Sequence, residues 1–188
     1  ESFPFEGIVS MEEKEMEALT ESFRLREREW ADLHESVASD LDAFIASRHS
    51  GKCSPVLDLI PRGPGYNADP GIQKAERSFI ALEKAPKKFA DLLVALEVCV
   101  DRARRVVRAS WKKGRNLSAT LSNSCLIDAV HEMEIKLLMH RDEYELKSDK
   151  LGALRWDADE RDLMCIQVIL SSQPFIEVID DARIGLPN

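Results

Sequence analysis

Apolar residues recur along this chain at spacings of three and four over long distances, which is the repeat of one face of an α-helix. From Ser10 to about Arg48 there is no Gly or Pro, and Met16, Leu19, Phe23, Trp30, Leu33, Val37, Leu41 and Phe44 step by 3, 4, 7, 3, 4, 4 and 3. This heptad-like stripe predicts a first helix about 55 Å long. Ser10 and Glu13 open it as a capping box, in which the hydroxyl accepts an amide of the first turn and the carboxylate reaches back to the Ser10 amide.

Asp69-Pro70 predicts the start of a second helix, because Asp caps well and the missing N–H of Pro costs nothing in the first turn. Pro86 predicts a kink or break near Lys84 and Ala85, since it removes a hydrogen bond and clashes with the preceding turn. Beyond it Phe89, Leu93, Leu96, Val100, Ala103 and Val107 step by 4, 3, 4, 3 and 4, and the pattern ends at Trp111 before a capping Gly114. A third helix is expected from near Leu117–Ser122. Its stripe is Leu126, Val130, Met133, Leu137, His140, Tyr144, Lys147, Leu151 and Leu154, with His140 and Lys147 as ionisable intrusions. Asp157 and Glu160 predict a capping box for a short helix through Leu163, Ile166, Ile169 and Leu170, which Ser171 to Pro174 ends. A last turn or two follows over Phe175 to Ala182.

No stretch alternates with period two, and no repeat of solenoid length occurs. The fold class expected is therefore all-α: an elongated antiparallel helical bundle of three long helices plus one or two short C-terminal helices. Residues 1–9 read as an irregular lead-in whose Phe3, Phe5 and Ile8 could dock on the core, and 10–188 as one domain. A long Gly/Pro loop at 49–71 interrupts it, with five Gly or Pro positions in Arg62 to Gly71 alone. That loop carries an apolar patch, Val56, Leu57, Leu59 and Ile60. It is expected to lie as a strap across the bundle end, or else to serve as a docking motif.

Composition supports this picture. A chain of 188 residues and 21.3 kDa with 44% hydrophobic and 32% charged positions has the balance of a globular protein. At this size about 70% of the unfolded surface is buried, so the core needs no metal or disulfide staples. Cys53, Cys99, Cys125 and Cys165 lie far apart with no zinc-like spacing, and are expected to be reduced core residues of an intracellular, cytoplasmic protein. The sequon Asn116-Leu117-Ser118 is too short a pattern to outweigh that expectation. No apolar run reaches the roughly 18 residues a membrane span requires. The start at Glu1, with no signal-peptide pattern after it, reads as a fragment of a longer polypeptide.

The linear motifs of catalysis and metal binding fail one by one. His131-Glu132-Met133-Glu134-Ile135 has Ile135 where a zinc protease needs its second His. None of the four His residues completes the Glu-x-x-His pattern of di-iron bundles. Asp180-Asp181 lacks a third acid for a magnesium cage. Arg62-Gly63-Pro64-Gly65 lacks the Lys-Ser/Thr of a phosphate loop. No nucleophile elbow appears. His140 is expected to be a core histidine held by one hydrogen bond. The expectation is a chain that is not an enzyme and carries no cofactor and no metal.

The charge distribution changes the picture more. The net charge is −8, which argues against a general nucleic-acid binder. Residues 1–50 hold 13 acids and 5 bases, 84–115 hold 10 bases and 3 acids, and 116–188 hold 14 acids and 7 bases. Seven positive charges fall within the fourteen residues from Arg102 to Arg115. Three answers to this charge are open: neutralisation by the acidic neighbouring helices, an acidic protein surface, or anionic lipid. The reading taken is a non-catalytic protein–protein interaction or scaffolding module. Arg102, Arg105, Arg108, Lys112 and Arg115 form its binding face, with Val56, Leu57, Leu59 and Ile60 second. The partner is another protein with an acidic surface, and a homodimer through a remaining apolar stripe is compatible. The alternative is a membrane-surface module of the BAR type using the same basic helix.

Overall fold

A computed structural model describes residues 11–49, 70–113 and 117–172 of the chain. Four helices carry almost all of them: α1 (Met11–His49), α2 (Pro70–Lys113), α3 (Leu117–Gly152) and α4 (Glu160–Ser171). No strand occurs among the described residues, and the fold is all-α. Ser10, Asp69, Gly114, Arg115, Cys53, the patch Val56 to Ile60 and the turns expected over Phe175 to Ala182 lie outside the described residues.

Cross-helix partners give the directions. Trp30 stacks near Phe89 and Phe44 near Phe79, so numbers rise on α1 as they fall on α2, and the two are antiparallel. Arg141 reaches Glu97 and Arg104 reaches Glu134, so α2 and α3 are antiparallel as well. Glu27 meets Lys136 while His34 meets Lys147, so α1 and α3 run in the same direction. The three long helices thus go up, down and up around one shared core.

The stripes read from the sequence face that core. Met16, Phe23, Trp30, Val37, Leu41 and Phe44 of α1, Phe89, Leu96, Val100 and Ala103 of α2, and Leu126, Val130, Met133 and Leu137 of α3 are all buried. Leu33, Val107 and Tyr144 are half-buried at its edge.

Three local expectations are corrected. α2 runs without a break through Pro86 over its 44 residues. Proline in a helix interior costs about 3 kcal/mol, but burying one large apolar side chain returns about 1.5–3 kcal/mol. Leu82 and Ala85 before Pro86, and Phe89 after it, are fully buried, so the core fastens the helix on both sides of the lost hydrogen bond. The cap of α4 is Asp159 rather than Asp157: its carboxylate accepts the Asp162 amide at 2.7 Å. Asp157 instead belongs to a turn in which the Ala158 amide donates to the Arg155 carbonyl. Of the described cysteines only Cys99 is buried; Cys125 and Cys165 are exposed, because neither falls on a core-facing position of its helix.

α4 closes one end of the bundle. Leu163, Ile166 and Leu170 turn inward, Gln167 donates to Asp42 of α1 at 2.8 Å, and Arg48 donates to the Ala158 carbonyl. Phe44, Phe79 and Trp156 form an aromatic cluster there, with ring centroids 5.3–5.4 Å apart. The basic half of α2 lies toward the opposite end, away from α4.

Candidate functional site

The core positions of α2 leave its other side to solvent. Lys84, Lys87, Val94, Val98, Asp101, Arg105, Arg108 and Lys112 are all exposed and recur by three, four or seven residues, so they share the face turned away from the bundle. Arg102 is exposed beside this stripe.

Among the described residues of the stretch, Arg104 is the basic one paired with α3. It donates to Glu134 at 2.7 Å and to Asp101 at 3.1 Å. The bond to Glu134 raises its pKa further above the ordinary guanidinium value, against a small opposing effect of burial. Arg141 holds Glu97 at 2.6 Å in the same inter-helix groove. The acids nearest to the seam between α2 and α3 are thereby occupied. Arg102, Arg105, Arg108 and Lys112 make no ion pair among the described residues. Internal neutralisation accounts for Arg104 and not for these four. The structure therefore brings four of the five expected basic site residues together on one surface. Arg115 and the loop residues Val56, Leu57, Leu59 and Ile60 lie outside the described residues.

A second cluster lies in the core, and the sequence pattern missed two of its members. Lys147 is fully buried, 2.9 Å from the equally buried Glu143 on the same helix and 2.7 Å from Nδ1 of His34 on α1. An ammonium group only donates, so His34 accepts at Nδ1. The ring faces of Phe89 and Trp30 lie 5.2 and 5.9 Å from the ammonium. Two turns back, Nε2 of His140 stands 3.9 Å from Glu27, which Lys136 holds at 3.3 Å. His140 is buried as expected, but its Nδ1 has no hydrogen-bond partner among the described residues. Glu143 and His34 escaped notice because an apolar stripe is read from apolar letters. The signal that was present is the i, i+4 spacing of Glu143 and Lys147 about a seam position.

Burial pushes the Lys147 ammonium below the ordinary lysine range, with Glu143 opposing the shift. The unfolded chain then binds the extra proton between the two pKa values, so stability rises with pH in that window. As pH rises through the lowered folded value toward the unfolded lysine value of about 10.4, the native chain is expected to gain stability relative to Lys147→Met. Urea denaturation of both at several pH values checks this; parallel profiles would contradict it. Burial also raises the pKa of Glu27, but the His140 and Lys136 contacts outweigh it and the net shift is downward.

Lys147 and Glu143 are sealed from solvent and tie α3 to His34 of α1. No group of three or more His, Cys, Asp or Glu side chains among the described residues is placed to hold a metal ion. No helix among them is long and apolar enough to cross a membrane. Comparison with protein-family models, curated proteins and solved structures finds no match for this chain.

Proposed function

We propose that the chain is a non-catalytic interaction or scaffolding module that docks an acidic protein surface on the outer face of α2. The observation that supports this most is the group Arg102, Arg105, Arg108 and Lys112, exposed together and without an ion pair among the described residues. Charges neutralised within a fold add little to it, whereas an unpaired set on one rigid helix creates a positive field for a complementary partner. The neighbouring Val94 and Val98 supply apolar contact area beside the charge.

The test compares the native chain with Arg105→Glu/Arg108→Glu in a capture experiment from nuclease-treated lysate. A protein held by the native chain and lost by the variant, whose helicity is retained, is the expected result. Binding to phosphatidylserine vesicles that the same variant loses, with no protein captured, would replace this reading by a lipid-surface module.

A further inference from the structure

We propose that the partner of the α2 face is a second copy of this chain, with α2 of each copy lying along α3 of the other about a two-fold axis parallel to the bundle. This rests on the reading of α2 as a docking face and names its occupant.

Within one chain the Glu97–Arg141 and Arg104–Glu134 pairs fix which residues of α2 and α3 are level. A two-fold axis along the bundle leaves heights unchanged and sets α2 antiparallel to the other copy's α3. Level residues are then those whose numbers sum to 238, so Val98 comes within about 3 Å of the height of Leu138 of the other copy, Arg108 of its Asp128, and Lys87 of its Asp149, an offset of two residues that the side chains span. Each of these six is exposed, and the charged ones are of opposite sign across the pair.

The apolar part agrees. Val94, Val98 and Leu138 are 57%, 46% and 55% exposed, unusually open for aliphatic residues; Leu138 lines the groove between α2 and α3, and Val94 and Val98 lie on the outer face of α2. Trp111 and Ile127 add to them toward the far end, at 59% and 40% exposed. The stretch from Lys87 to Arg108 spans about 30 Å of helix. Two such strips, related by symmetry, suit an interface of ordinary size, about 800 Å² per partner. A two-fold interface must be self-complementary, and here both the basic face and its acidic, apolar counterpart belong to one chain at heights within about half a turn of each other. The product is an antiparallel four-helix core made of two α2 and two α3 helices.

Sedimentation velocity of the full chain over a range of concentrations tests this, with circular dichroism to confirm folding. The native chain is expected to reach twice its 21.3 kDa. Lys87→Glu/Arg108→Glu and Asp128→Lys/Asp149→Lys are each expected to be folded and monomeric. Their equimolar mixture is expected to recover the dimer, because both contact strips are then again of opposite sign. A native chain that stays monomeric, single variants that dimerise as the native chain does, or a mixture that stays monomeric would each overturn the proposal. If the native chain is monomeric yet captures a partner through Arg105 and Arg108, the two-fold pairing fails and the docking-face reading stands.

Discussion

Glu143→Ala is expected to cost about 3–5 kcal/mol of folding stability, because it leaves the buried Lys147 ammonium without its carboxylate. Both side chains are fully shielded from solvent, and the pair is 2.9 Å apart. Domains of this kind are stable by only about 5–15 kcal/mol, so a single truncation consumes a large share of the total. Removing both charges tells a different story. A Glu143→Leu/Lys147→Met chain keeps the volume and needs no buried ion, so it is expected to recover most of the loss. What remains is the His34 ring, deprived of the Lys147 donor, at about 1–3 kcal/mol. Urea denaturation of the native, single and double chains measures the contrast. A single variant within about 1 kcal/mol of native would mean that water or a neighbour reaches Lys147 and the pair is not sealed.

Trp30→Ala is expected to be as damaging, at about 3–5 kcal/mol, for a reason of volume rather than charge. Trp30 is the largest fully buried side chain, with Phe89 and His140 rings at 4.8 and 4.7 Å. It belongs to α1 but touches both α2 and α3, so the cavity left behind opens where all three helices meet. At about 2–4 °C per kcal/mol for a chain this long, the melting temperature should fall by roughly 6–20 °C. Trp111→Ala provides the comparison, since that tryptophan is mostly exposed and its loss is expected to stay within about 0.5 kcal/mol in a dilute chain. Thermal melts of the two variants should therefore differ widely although the chemical change is the same.

These two residues also mark what could be read from the sequence. Trp30 sat in an apolar stripe, and the stripes of α1, α2 and α3 face the core nearly residue for residue, because burial of one helix face is what produces such spacing. Of the kink or break that Pro86 predicts, the break does not occur: local propensity opposes the helix there, but Leu82, Ala85 and Phe89 outweigh it through contacts that only the assembled bundle supplies. Asp157 and Asp159 offer nearly the same capping chemistry two residues apart, and the turn at Arg155 to Ala158 decides between them. Glu143 and His34 were illegible for a related reason. Each is polar in its own helix and becomes a core residue beside Lys147, which stands one turn from Glu143 on α3 and across from His34 of α1. The basic stretch was visible as composition. Its division into one paired residue, Arg104, and four outward ones depended on where α3 lies.

The account turns on whether Arg105 and Arg108 are surplus to the fold and available for binding. The most direct measurement is the thermal melt and far-ultraviolet circular dichroism of Arg105→Glu/Arg108→Glu at a dilution where any self-association is absent. Exposed side chains without internal partners change stability by about 0.5 kcal/mol or less each, so helicity should be native and the melt nearly so. A large fall in melting temperature or a loss of helix would show that these arginines hold the bundle together, and the α2 face would no longer stand as a docking surface.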